Sequence, residues 1–307
     1  MTTMPGYPSA EGYPTAPGHP PPPLRPELPE GVEPTPVGPL WKGWTAWVAL
    51  IAGFVGAGIL GAIVIGVGAA VSGSNFEDPT AALNILALVV QDLSLVGAAV
   101  VFARMGGGAR SWDFGLRPAR LWSAIGWAAL AWVAFLVFTA GWLALLGVGD
   151  SSDSLPESLG VDESTFALVA VALLVCVGAP IVEELFFRGF FFTALRSWRG
   201  MWPAAIITGL VFGSIHIGSA EKEFLLPLAV FGFALCLLYV RTGSLYPCIG
   251  AHALNNSLAF GASQGWDWQI LPTLGGSLLI ITAILALVRR IAGPAPTGAY
   301  AAARRQL

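Results

Sequence analysis

Ionisable and amide side chains interrupt otherwise apolar stretches at three places in the sequence. They are Glu183, Glu184 and Arg188 in the first stretch, His216 in the second, and His252 and Asn256 in the third. A carboxylate or an imidazole can activate a water molecule, and imidazole and amide N–H groups can stabilise an oxyanion. Hydrolysis of a peptide bond needs both functions, so we consider these residues as one candidate hydrolytic site.

The composition indicates the environment in which such a site would lie. Of the 307 residues, 55% are hydrophobic and only 11% are charged, whereas a soluble domain has about 25% charged residues. This surplus of apolar residues predicts an integral membrane protein. The net charge of -3 offers no basic excess for nucleic acid, so no nucleic-acid partner is expected. The three cysteines lie in apolar stretches without the spacing of a disulfide framework or a zinc knuckle.

Eight apolar runs predict an all-α, polytopic transmembrane helical bundle of about eight spans. We place the runs at 44–72, 80–103, 121–147, 165–195, 202–218, 224–240, 245–261 and 269–291. Arginines cluster in alternate connections, and the connections between them are acidic or nearly neutral. By the positive-inside rule, both termini are cytoplasmic and the protein is a multi-pass protein of the cell membrane.

The two ends of the chain differ in composition from the predicted bundle. Residues 1–39 are rich in proline and glycine and have no apolar period, which predicts a disordered cytoplasmic tail with an unknown partner. The prolines at 20–23 are only a weak signal for an SH3-like domain. Residues 40–293 form the predicted transmembrane domain, and 294–307 form a second short disordered tail.

Three charges in the fourth predicted span are unusual for a membrane helix. Glu184 and Arg188 are four residues apart and can pair on one face, whereas Glu183 points about 100° away. A structural ion pair accounts for Glu184 and Arg188 but leaves Glu183 unexplained. Because a charge at the centre of a span costs about 2.5–3.5 kcal/mol, an unpaired glutamate there predicts a functional site.

The predicted depths allow the polar residues of three spans to meet. At about 1.5 Å per residue from the cytoplasmic edge, Glu183 lies about 20 Å deep and His216 about 24 Å deep. His252 and Asn256 lie at about 14 and 20 Å on the same scale. Gly209 and Gly213 would allow close helix packing nearby.

The three motifs resemble those of the CPBP family, which contains the CAAX prenyl proteases and bacterial relatives linked to bacteriocin processing or immunity (Abi-like proteins). The matches are EExxxR at Glu183, Glu184 and Arg188, FxxxH at Phe212 and His216, and HxxxN at His252 and Asn256. The resemblance covers about residues 164–261, which would be the CAAX-protease-like core of the bundle.

The resemblance implies an intramembrane endopeptidase that acts on membrane-anchored proteins or peptides. Glu183 would be the general base, His216 would help to hold the water, and His252 and Asn256 would donate to the oxyanion. Glu184 and Arg188 would fix the geometry of the site, with Phe212 in support. The family also implies an alternative in which Glu183, His216 and His252 bind a catalytic zinc ion. Our interpretation favours the metal-free mechanism.

Other functions fit these residues less well. A transporter or channel could use the Glu, Arg and His cluster as a proton or substrate path, but no internal repeat supports it. A non-catalytic scaffold would not need the complete set of motifs. The GxGD string that ends at Asp150 lacks a second intramembrane aspartate, and there is no HExxH helix or rhomboid-like serine site. Gln91 and Asp92 are best interpreted as a packing contact, with a supporting contact to the site or a polar passage as alternatives.

Overall fold

The computed structural model describes residues 41–148, 159, 161–162 and 164–292. Within these ranges the chain is helical and contains no β-strand, which confirms the all-α class. The helices are α1 (Gly43–Ser72), α2 (Ala81–Met105), α3 (Leu121–Leu146), α4 (Thr165–Arg199), α5 (Met201–Ser214), α6 (Lys222–Thr242), α7 (Tyr246–Ser263) and α8 (Ile270–Ala292). The two predicted disordered tails lie outside the described residues.

Each of the eight predicted runs coincides with one of these helices. Six of them, α1, α2, α3, α4, α6 and α8, are long and apolar enough to cross a membrane. The chain is therefore a multi-pass membrane protein. Helix α7 has 18 residues and α5 has 14. At about 1.5 Å per residue, α5 is only about 21 Å long, shorter than the hydrocarbon layer of about 30 Å.

The end of α5 corrects one predicted boundary. The apolar run continues to residue 218, but the helix stops at Ser214, and His216 lies in the turn that follows. Gly218 adopts a positive φ of 93°, which a helix cannot include, and the backbone N–H groups of Ser219 and Ala220 both donate to the carbonyl of His216. Hydropathy does not register this stop because Ile215 and Ile217 are themselves apolar.

Helix α4 is α-helical only in parts. Two π-helical segments, Leu174–Gly178 and Leu185–Phe192, separate the α-helical stretches Thr165–Leu173, Ala179–Glu184 and Thr193–Arg199. A proline inside an apolar run, here Pro180, is expected to kink the helix. In the structure, Pro180 lies in the first turn of the middle α-helical stretch, directly after a π-helical segment.

Helix α4 lies at the centre of the bundle, against α2 and α7, and its C-terminal end packs on α1. Five of its phenylalanines are completely buried: Phe186, Phe187, Phe190, Phe191 and Phe192. Helices α5 and α6 pack closely side by side, and α6 also packs on α3. The start of α7 is fixed by the loop between α2 and α3, because Leu245 N–H donates to Gly115 O and Ser244 Oγ donates to Arg117 O. These contacts set the position from which α7 enters the bundle.

Candidate active site

The predicted ion pair of α4 is present and buried. Arg188 Nη1 donates to Glu184 Oε1 at 2.7 Å, and both side chains are completely inaccessible to solvent. Arg188 Nη2 donates to the backbone carbonyl of Gly232 on α6 at 3.1 Å, and the guanidinium lies 4.5 Å from the centre of the Phe212 ring on α5. Arg188 therefore connects the charged segment of α4 to both α5 and α6.

His252 on α7 binds the same carboxylate oxygen. Its Nδ1 lies 2.8 Å from Glu184 Oε1, and because an ionised carboxylate can only accept, Nδ1 carries the hydrogen. The ring is held edge-on by Phe212 at 5.8 Å and by Phe231 at 5.6 Å between ring centres. The other ring nitrogen, Nε2, is 4.0 Å from Glu183 Oε2. Glu184 thus orients His252 so that Nε2 faces Glu183.

Glu183 differs from Glu184 in exposure and in partners. Its side chain is 17% exposed, whereas that of Glu184 is 0% exposed. Glu183 Oε2 and Glu184 Oε2 are both buried and lack a hydrogen-bond partner among the described residues. Neighbouring positions on the helix point in different directions, as the sequence predicted. Glu184 is therefore held through Oε1 by Arg188 and His252, while Glu183 is partly exposed and faces Nε2 of His252.

His216 lies beside this cluster, in the turn after α5. Its Nδ1 is 2.7 Å from the backbone carbonyl of Phe212, to which it must donate, so Nε2 is the acceptor nitrogen in the neutral ring. The half-buried imidazole packs against the Phe212 ring with 5.0 Å between ring centres. Phe212 thus contacts His216, His252 and Arg188, which explains why an aromatic side chain is useful at this position.

Asn256 is the predicted site residue with the least expected partner. Its Nδ2 donates to the backbone carbonyl of Val175, in the first π-helical segment of α4, at 2.9 Å. The amide nitrogen has a second hydrogen that this bond does not use. The sequence-based role as an oxyanion donor therefore has to be combined with, or replaced by, a contact to the backbone of α4.

The structure adds two groups that sequence reasoning did not assign to the site. The first is the carbonyl of Gly232, which has no side-chain signature in the sequence. The second is Asp92 on α2, whose carboxylate faces Gly178 of α4 and interacts electrostatically with Glu183. An aspartate inside an apolar span was the signal that could have placed it there. Its position agrees with the supporting contact that we weighed as the alternative to packing.

The candidate zinc ligands are not gathered into a metal site. Among the residues that the structure describes, no three or more His, Cys, Asp or Glu side chains are arranged to hold a metal ion. Nδ1 of His216 and of His252 is bound to a protein oxygen, which leaves Nε2 of each ring as the nitrogen that could bind a metal ion. The arrangement of these side chains with Glu183 does not match a three-ligand zinc centre.

Comparison with known proteins adds an independent finding. Residues 165–258 match the family described as Type II CAAX prenyl endopeptidase Rce1-like. The putative membrane peptidase YdiL of Bacillus subtilis (strain 168) is 30% identical over 113 residues, which are 37% of this chain and 44% of that protein. The uncharacterized protein YyaK of the same organism is 34% identical over 115 residues, which are 33% of this chain and 37% of that protein. The chain thus spans less than half the length of these relatives, and no solved structure matches it.

Proposed function

Because residues 165–258 match the type II CAAX prenyl endopeptidase Rce1-like family, we propose that the protein hydrolyses peptide bonds of membrane-anchored substrates with a water molecule activated by Glu183. One observation carries the assignment of the base. Arg188 and His252 both bind the completely buried Glu184 through Oε1, whereas the side chain of Glu183 is 17% exposed and its Oε2 lies 4.0 Å from Nε2 of His252.

The first chemical step is the attack of water on the peptide carbonyl. Glu183 takes a proton from the water as the oxygen bonds to the carbonyl carbon, and the carbonyl electrons move to the oxygen. Nε2 of His216 is free to accept a hydrogen bond from the same water, because Nδ1 is engaged with Phe212 O. This is the helping role that the sequence predicted for His216.

The second requirement is a donor for the oxyanion. A protonated His252 has an Nε2–H to donate while Glu184 holds its Nδ1. Because Glu184 is already paired with Arg188, the charge of the imidazolium is balanced first by Glu183, 4.0 Å from Nε2, and then by the oxyanion when Glu183 has taken the proton. Collapse of the tetrahedral intermediate breaks the C–N bond, and Glu183 returns its proton to the leaving amine. Protons and charges therefore balance within Glu183, water and the substrate.

Glu184 and Arg188 support the reaction without taking part in it. Their pair neutralises one carboxylate inside the bundle, and Glu184 then fixes the tautomer and orientation of His252. The alternative role as a transporter or channel gains nothing from the family match, and a compact cluster does not form a path across the bilayer.

Exchange of the base for its amide tests the proposal. Glu183→Gln keeps size and hydrogen bonding but cannot accept the proton, so cleavage of a membrane-anchored reporter peptide should fall by at least about 10²-fold. The melting temperature in detergent should stay near that of the wild type. Glu223→Gln is a matched control, because the Glu223 side chain on α6 is 20% exposed and its carboxylate pairs with Lys222, at 3.8 Å. Full cleavage by a stable Glu183→Gln variant would show that Glu183 is not the general base.

Chelation separates the two mechanisms that the family resemblance allows. If Glu183 and His216 activate water directly, the purified protein should keep its turnover after strong chelation and dialysis. If zinc is needed to lower the pKa of the water, chelation should abolish turnover and added zinc should restore it. Metal analysis of the active protein decides the matter: stoichiometric zinc required for turnover would replace the metal-free mechanism.

A further inference from the structure

The first π-helical segment of α4 leaves one backbone carbonyl without its regular donor. At the end of this segment, the N–H of Ala179 donates to Leu174 O, five residues earlier. In this pattern, each N–H donates to the carbonyl five residues earlier, so the N–H of residue 180 would be the next donor and Val175 O its acceptor. Residue 180 is a proline and has no N–H, so the chain itself cannot make this bond. A backbone carbonyl inside a membrane bundle needs another partner.

Asn256 supplies that partner from a different helix. Its Nδ2 lies 2.9 Å from Val175 O, and since a carbonyl oxygen can only accept, the group that faces it is the amide NH₂. The bond joins α7 to α4 at the one carbonyl that the proline leaves open. The asparagine therefore compensates for a defect that Pro180 creates.

A second bond joins the same two helices. His252 Nδ1 donates to Glu184 Oε1 at 2.8 Å, so α7 is attached to α4 on both sides of Pro180. The residue later in α7, Asn256, binds the residue earlier in α4, Val175, which is the order expected for antiparallel helices. Two attachment points fix both the sliding and the rotation of α4 relative to α7. Glu183 lies between them, and a slip of one residue would move it by about 1.5 Å and turn it by about 100°.

We propose that Asn256 is a positioning residue: its amide replaces the hydrogen bond that Pro180 cannot donate and so holds α4 in the register in which Glu183 faces His252. Its contribution to cleavage rests on the proposed endopeptidase function. Its contribution to the structure does not, because the hydrogen bond to Val175 exists whether or not the protein cuts peptides.

A double-mutant cycle in stability tests the structural half. Asn256→Ala should lower the melting temperature in detergent by about 2–4 °C in the wild-type background. In a Pro180→Ala background, the new N–H at residue 180 can donate to Val175 O, so Asn256→Ala should have little further effect. Equal losses in both backgrounds, or no loss in either, would overturn the proposal.

Two further variants keep the test decisive if Pro180→Ala does not fold. Asn256→Leu retains the shape but has no donor, and it should lose stability as Asn256→Ala does; a wild-type melting temperature for this variant would refute the proposal. Asn255→Ala is the matched control, because Asn255 is equally half-buried on α7 and its side chain makes no hydrogen bond to the described residues. Its melting temperature should remain that of the wild type.

Cleavage kinetics separate positioning from direct contact with the oxyanion. For a positioning residue, Asn256→Ala should lower kcat by about 10²-fold with little change in KM, and Pro180→Ala should restore part of this loss. For an oxyanion donor, the loss should be the same in both backgrounds, which would count against the proposal. Absence of cleavage by the wild-type protein would refute the endopeptidase function and leave the stability cycle to judge the role of Asn256.

Discussion

At the residue scale, a single carboxylate oxygen organises the site. Glu184 Oε1 accepts hydrogen bonds from Arg188 and His252, and all three side chains are buried or nearly so. Buried charges are tolerated only when they are paired and hydrogen-bonded, and removal of one partner leaves the other uncompensated. Glu184 is therefore a structural carboxylate, whereas Glu183, one position earlier, is not held in the ion pair with Arg188.

Arg188→Ala should accordingly damage folding together with activity. The variant leaves Glu184 buried without its cation and Gly232 O without its donor, and the loss should be about 3–5 kcal/mol of stability. Thermal unfolding in detergent and the yield of folded protein measure it. Arg199→Ala is the control on the same helix: Arg199 is exposed and its guanidinium contacts Trp198, so the change should stay within about 0.5 kcal/mol. A stable but inactive Arg188→Ala variant would indicate a direct role of Arg188 in the chemistry.

The residue scale also shows what sequence reasoning could reach. The Glu184–Arg188 pair was predictable, because residues four apart meet on any helix. The bond from His252 to Glu184 was not predictable from spacing, since 68 positions separate the two residues and only the packing of α7 on α4 brings them together. The hydrogen bond from Asn256 to Val175 O was even harder to predict from the sequence. Its acceptor is a backbone carbonyl that any residue type would provide.

At the element scale, glycines set the distance between α5 and α6. A Cβ atom on Gly213 would lie 2.5 Å from Leu225 O and 2.8 Å from the Ala229 side chain, and one on Gly209 would lie 2.6 Å from Ala229 O. The two helices therefore touch backbone to backbone, as the sequence predicted for these glycines. This contact places Phe212 and the turn that carries His216.

Gly213→Ala should force these helices apart. The neighbouring atoms belong to the backbone of α6 and cannot rotate away, so the variant should lose about 1–3 kcal/mol of stability. Cleavage should fall as well, because Phe212 and His216 would move with α5. Gly126→Ala on α3, where a Cβ would meet nothing within 4 Å, should keep stability and activity. Unchanged melting of Gly213→Ala would mean that α5 and α6 can separate at little cost.

Helix boundaries and helix type were the least predictable features at this scale. The apolar run gave the existence of α5 but not its end, because the helix stops at Ser214 while Ile215 and Ile217 beyond it are still apolar. The apolar pattern of the sequence does not distinguish the π-helical segments of α4 from its α-helical stretches. Pro180 indicated a local irregularity, and its consequence was visible only with the partner helix in place.

At the scale of the whole molecule, the eight helices agree with the predicted runs, and their orientation stays a prediction. The connection between α2 and α3 is rich in arginine, whereas the connection between α3 and α4 is acidic. The positive-inside rule therefore assigns the two connections to opposite sides of the membrane. The helical structure of an apolar run follows from the run alone. Its direction across the bilayer depends on the charges of the connections.

Cysteine labelling tests the orientation. Single cysteines introduced at residues 110 and 155 should react with a membrane-impermeant thiol reagent from opposite sides of sealed vesicles. Residue 155 lies outside the described residues. The three native cysteines, Cys176, Cys236 and Cys248, are buried, so their background labelling should be low. Labelling of both introduced cysteines from the same side would contradict the eight-span topology.

The ion pair within α4 has a consequence for biosynthesis. Glu184 and Arg188 lie on one helix, so they can neutralise each other as soon as that segment is helical, before His216, His252 and Asn256 have been synthesised. A nascent segment with two separate charges would face an insertion cost of about 2.5–3.5 kcal/mol for each one. His252 leaves the ribosome 68 residues after Glu184 and can dock onto a pair that is already formed. The same pair that orients the site therefore also helps its helix to enter the membrane from the translocon.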